Sequence, residues 1–196
     1  VEDYLEGAEP RRPIEHTPVP VVAIPTTAGT GSEMTRNAVI GWPARRVKRS
    51  LRDDRLMPAA AIMDPELTLD LPSAPTLWSG LDALTQLVEA CISRRATAVT
   101  TTVALQVIGW IRWALPVCLE RPRDVVARAA MAAAASLSGV CLANAGLAMA
   151  HGIAAALGAV RAIPHGLACG ILLPHTLRCN REAAAPALGR VLAAWL

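Results

Sequence analysis

The chain has 196 residues, enough for one domain or parts of two, and 53% of them are hydrophobic, which permits a sizeable core. A net charge of +3, with acids interrupting the basic runs, lacks the strong positive footprint of a nucleic-acid binder, and no nucleic-acid partner is expected. With no Phe and a single Tyr, the core must be built from Ala, Leu, Val and Ile, whose modest volumes suit closely packed helices.

Residues 1–18 are charged and broken by prolines, and read as an arm. Short apolar runs at Val19–Ile24, Asn37–Ile40 and Ala59–Met63 predict short strands. Between the first two lies "TTAGTGSEMT", rich in hydroxyls and glycines. The basic stretch "RRVKRSLRDDR", Arg45 to Arg55, reads as a solvated loop or as a contact for a phosphate-bearing small ligand. From Leu77 onward the pattern becomes helical: Leu77–Ser93, Val99–Leu115, Val125–Asn144, Leu147–Ala159, Leu167–Arg178, and a last helix from about Glu182. Both ends read as cuts through a larger fold.

Ala129–Val160 carries no charged residue, which raises a membrane span as one reading. Its Ala and Gly content, together with Ser136, Ser138, Asn144 and His151, predicts a buried helix of a bundle instead, and no membrane is expected. The five cysteines, at 91, 118, 141, 169 and 179, are odd in number and form no C-x-x-C pair. They are expected as reduced core thiols of a cytoplasmic protein, and no leader pattern is read at the start.

Three groups of residues carry chemistry. In "PTTAGTGSE", Thr26, Thr27, Thr30 and Ser32 offer hydroxyls, while Gly29 and Gly31 let the backbone turn its N–H groups outward. This suits phosphate or ribose oxygens, although the lysine of a P-loop is missing, and a plain structural turn explains the same residues. In "LWSGLDALTQLVEACIS", spacings of four and three put Asp82, Gln86 and Glu89 on one helix face. Asp82 either points into a site there or stabilises the N-terminal end of its helix.

His151 and His165 lie in segments too apolar to bury charge freely. A divalent cation compensates a carboxylate and accepts neutral imidazoles, so Asp82, His151 and His165 form a candidate metal site with Gln86 as a weaker fourth ligand. Such a set has no thiolate and suits Fe²⁺, Zn²⁺ or Mn²⁺. His175 and His16 are poorer candidates.

"AIPTTAGTGSEMT", "AAIMDPELTLDLP", "SGLDALTQLVEA" and "HGIAAALGAVRAIPHGLACGILLPH" resemble, in content and order, the iron-containing (group III) alcohol dehydrogenases, over about Pro20 to Asn180. The resemblance implies an α/β portion, residues 1–72, that is the C-terminal part of a dinucleotide-binding domain. It is followed by an all-helical metal-binding domain, residues 73–196 and incomplete, in the dehydroquinate synthase-like architecture. It implies that Thr26, Thr27, Gly29, Thr30, Gly31 and Ser32 line a cleft for NAD or NADP, with Lys48 near the nucleotide ribose. It implies metal ligation by Asp82, His151 and His165, the two histidines keeping the family's separation of fourteen residues, and by Gln86 where relatives carry histidine. A further family histidine near the nicotinamide is Ala155 here.

The activity implied is metal-dependent interconversion of a small alcohol with an aldehyde or ketone, chiefly aldehyde reduction, by a homodimer using Fe²⁺ or Zn²⁺. Arg45, Arg46, Lys48 and Arg49 suggest a taste for the 2′-phosphate of NADP, and Arg161 a place for an anionic substrate. Two alternatives stand beside it. One is a reductase of the maleylacetate or phosphonoaldehyde type with altered metal dependence, although maleylacetate reductases depart at the aspartate that is intact here. The other is an impaired relative kept for a binding or structural role.

Overall fold

The computed structural model describes residues 2–42 and 47–196; Arg45 and Arg46, part of the suggested 2′-phosphate contact, lie outside the described residues. Among the described residues, the first third of the chain contains four short strands, β1 (Val22–Ala23), β2 (Asn37–Trp42), β3 (Val47–Arg52) and β4 (Ala60–Ala61). β1 pairs with β4 in parallel, Val22 opposite Ala60, so the two apolar runs meet over two residues each. β2 and β3 form an antiparallel ribbon in which Asn37 faces Arg52 and Trp42 faces Val47.

The ribbon corrects the loop reading of Arg45–Arg55, of which residues 47–52 are strand. Charge does not prevent a strand when the ladder satisfies the backbone and long side chains keep their heads at the surface. Arg52 reaches Glu6 at 3.1 Å, and Arg49 donates to the Gly7 carbonyl at 3.3 Å.

Six helices follow: α1 (Ser73–Ile92), α2 (Ala98–Glu120), α3 (Val125–Ala145), α4 (Met149–Val160), α5 (His165–Cys179) and α6 (Ala185–Trp195). Local chemistry sets their starts. Thr97 and Thr100 form a reciprocal capping box at the head of α2, and the Asp124 carboxylate accepts from the Ala127 N–H at the head of α3. Such caps contribute about 1 kcal/mol each. The long uncharged run from Ala129 is not one helix: Gly146, at φ 72°, ends α3 and lets the chain turn back as α4.

α2 packs against α1 and α3, and α1 also meets α5. Leu87 and Val88 of α1, Val107, Ile108 and Ile111 of α2, and Met131, Ala134 and Ala135 of α3 form the core. By length and composition α2 and α3 would each cross a membrane, but here their apolar faces are turned on one another. The buried Arg128 of α3 ties this bundle to the start of α1. It donates to the Pro122 and Leu71 carbonyls and to Thr76 Oγ1, so its charge is spread over three acceptors.

Candidate metal centre

α1 carries Asp82, α4 carries His151, and α5 begins with His165, so convergence depends on how closely α5 lies on α1. Gly166 sets that distance. A Cβ on it would stand 1.9 Å from the Trp78 carbonyl oxygen and 3.2 Å from Asp82 Cβ, so no larger residue fits with α5 where it is. His165 is thereby delivered to Asp82, with Nε2 3.7 Å from Oδ1.

His151 arrives from the other side, its Nε2 3.2 Å from the same Oδ1. The two rings lie edge to face with centroids 5.5 Å apart. Asp82 sits mid-helix, nine positions after Ser73, so the alternative role at a helix N-terminus does not apply.

Two residues complete the cluster that sequence reasoning left without a role. Glu89, two turns after Asp82 on α1, is buried and takes four contacts. It accepts the backbone N–H groups of Ala148, Ala150 and His151, and its Oε2 lies 2.7 Å from His151 Nδ1. It serves as the cap that α4 lacks in its own sequence, and it fixes the orientation of the His151 ring. The signal was present in the spacing that put Glu89 on the face of Asp82. Cys169, one turn after His165, lies with its Sγ 3.7 Å from His165 Nε2. One donor atom from each of Asp82, His151, His165 and Cys169 falls within 4.8 Å of the others.

Burial of His151 disfavours its charged form, but hydrogen bonds to Asp82, Cys169 and Glu89 outweigh it and raise the imidazole to about 11. Burial alone would raise Glu89, yet the His151 ring and the Ala148 and Ala150 N–H groups bring it below the ordinary carboxylate value. His165 is lowered by burial and by the charges of His151 and Lys48, against the pull of Asp82. Its Nδ1 is buried with no hydrogen-bond partner among the described residues, so the ring makes its polar contacts on the side of the cluster. A carboxylate, two imidazoles and a thiol brought together, three of them buried and His165 half-buried, are donors that fit a divalent cation.

Gln86 is one turn beyond Asp82, and both ends of its carboxamide are engaged. Oε1 accepts from Ser138 Oγ at 2.7 Å and Nε2 donates to the Thr30 carbonyl at 3.3 Å. It thereby anchors the glycine- and threonine-rich loop to α1. The loop is seated by its small residues. Gly31, at φ 59°, lies so near Gly139 of α3 that a Cβ on Gly139 would stand 2.1 Å from the Gly31 carbonyl oxygen. Gly29 is pressed against Ser79 in the same way.

With the glycines buried, Thr26, Thr27, Thr30 and Ser32 are exposed, and Thr30 and Ser32 are joined through their hydroxyls at 3.2 Å. Lys48 of β3 extends to α4, where a Cβ on Gly158 would be 3.7 Å from its Nζ. Ala155, Arg161, His16 and His175 are exposed.

Comparison with known proteins places the chain in a family. Residues 76–196 match the C-terminal part of the iron-containing alcohol dehydrogenase family and residues 1–65 match its N-terminal counterpart. An NAD-dependent methanol dehydrogenase of Bacillus methanolicus is 41% identical over 167 residues, which are 85% of this chain and 44% of that protein.

Among solved structures, a 1,3-propanediol oxidoreductase superposes with a TM-score of 0.89 at 37% identity, over 93% of this chain and 48% of the other. A sulfoacetaldehyde reductase of Bifidobacterium kashiwanohense, solved with NAD+, gives 0.79 at 32% identity, over 86% and 44%. The chain spans less than half the length of each of these relatives. Its short strands, helical body and motifs are those of one group, and the chain belongs to the iron-containing alcohol dehydrogenase family.

Proposed function

We propose that the protein carrying this chain is a metal-dependent, NAD(P)-linked oxidoreductase that interconverts a small alcohol with its aldehyde or ketone, working chiefly as an aldehyde reductase. The observation that carries the reading is the convergence of Asp82, His151 and His165 from three helices, with Glu89 behind His151. Asp82, His151 and His165 would hold a divalent cation, which when bound would supply Lewis-acid stabilisation of negative charge on a carbonyl oxygen.

The remaining work belongs to the chain. Glu89 keeps Nε2 of His151 aimed at the Asp82 carboxylate. The 26–32 loop, fixed to α1 and α3, presents four exposed hydroxyls for the phosphate or ribose oxygens of the nicotinamide cofactor, and residues 1–72 and 73–196 meet there as two domains. Holding cofactor and carbonyl in register supplies much of the rate. With Ala155 at the position of the family's further histidine, proton delivery passes through water or the cofactor's ribose hydroxyls.

The reading includes NADP as well as NAD, with Lys48 at the nucleotide side, and Fe²⁺ or Zn²⁺ as the ion. It places the protein in the cytoplasm as a homodimer, with no nucleic acid or membrane partner. The test is oxidation of NADH and NADPH by short aldehydes in the presence of Fe²⁺ or Zn²⁺. Turnover that chelation abolishes and metal restores is expected. Stoichiometric metal and cofactor binding with no turnover on any short aldehyde or alcohol would overturn the catalytic reading.

A further inference from the structure

Gln86 and Cys169 occupy different positions with respect to the cluster. Gln86 has its carboxamide oxygen on Ser138 and its nitrogen on the Thr30 carbonyl, and it is 3% exposed between α1, α3 and the loop. Those two bonds fix its plane and give it a structural task, holding the loop to the bundle. Cys169 is placed otherwise. It lies four residues after His165 on α5 and therefore on the same helix face. Its side chain is fully buried, and its sulfur lies within 4.8 Å of donor atoms from Asp82, His151 and His165. The other four cysteines are not part of this cluster.

We propose that Cys169 supplies the fourth protein ligand in place of Gln86, giving a shell of one carboxylate, two imidazoles and one thiolate. The inference rests on the metal reading above and deepens it. On binding, a sulfur–metal bond replaces the S–H bond, the proton passes to solvent, and no electron is transferred. A thiolate is a softer donor than a carboxamide oxygen, so the site favours Zn²⁺ over Fe²⁺. The fourth protein donor then comes from α5 at Cys169 rather than from α1 at Gln86.

The test begins with the unaltered protein loaded with zinc and examined by X-ray absorption at the zinc edge. One sulfur at about 2.3 Å is expected beside the lighter donors at about 2.0–2.2 Å. Cobalt(II) loading should give a near-ultraviolet thiolate-to-metal charge-transfer band that Cys169→Ser loses and Gln86→Ala keeps. A zinc shell of nitrogen and oxygen alone, or a band that survives Cys169→Ser, overturns the thiolate ligand and leaves the metal reading standing. Failure of the unaltered protein to take up zinc or cobalt at all overturns both.

Discussion

Glu89 Oε2 lies 2.7 Å from Nδ1 of His151, on the side of the ring opposite Asp82. This pairing leaves Nε2 as the atom that faces the cluster. The same carboxylate receives the first N–H groups of α4, so one buried acid both starts the helix and aims its histidine.

Replacing Glu89 by Gln keeps the volume but removes the charge and turns a donor toward the α4 N–H groups. Metal affinity is expected to fall about 10–100-fold, the usual cost of losing a partner behind a ligating histidine. Competition with a chromophoric chelator reads the change. Unaltered affinity would show that His151 is held without Glu89.

Gly166→Ala tests the approach of α5 to α1. Its Cβ would overlap the Trp78 carbonyl, so α5 must shift and His165 must leave Asp82. Overpacking of this kind costs about 1–3 kcal/mol or more in stability. The variant should melt earlier and bind metal more weakly than the unaltered protein. A loss of stability with metal binding intact would separate the close helix contact from the site.

Gly139→Ala acts on the loop instead. The added Cβ would meet the Gly31 carbonyl at 2.1 Å and lift residues 26–32 from α3. The expected signature is a raised KM for the nicotinamide cofactor with metal content unchanged. Lost metal with unchanged cofactor affinity would contradict the role given to the loop.

The helices were legible because their signal is periodic. All six were expected in order, and their observed ends differ by a few residues, as with α1 starting at Ser73 rather than Leu77 and α2 continuing through Pro116 to Glu120. β3 was hidden by its own arginines and lysine, since a charged strand at the surface has no apolar alternation to show. Asp82, His151 and His165 stood out as polar residues in apolar segments. Glu89 and Cys169 did not, because a helix-face acid and a core thiol are ordinary until the partner helix is in place. What the sequence lacked was the distance between α1 and α5, set by a steric contact at Gly166 that no spacing along the chain records.

Burial pushes the Cys91 and Cys141 thiols up from 9.0 to about 11. Between those values the unfolded chain has released protons that the folded chain retains, so stability is full below about pH 9 and declines as pH rises toward 11. Thermal melts across that interval should show the decline, and it should be smaller in a Cys91→Ala, Cys141→Ala variant. At pH 8 a thiol reagent should label the exposed Cys179 far ahead of the four buried cysteines. Rapid labelling of Cys91 or Cys141 in the folded protein would contradict their burial.

The convergence of Asp82, His151 and His165 on a metal is tested most directly by the metal content of the protein beside that of Asp82→Asn and His151→Asn, measured after loading with Fe²⁺ or Zn²⁺ and removal of free ion, with circular dichroism to confirm that each variant is folded. One tightly held divalent ion per chain is expected in the unaltered protein, and its loss is expected from both folded variants. An unaltered protein that retains no ion, or variants that hold it as tightly, would contradict the claim that these side chains converge to bind metal.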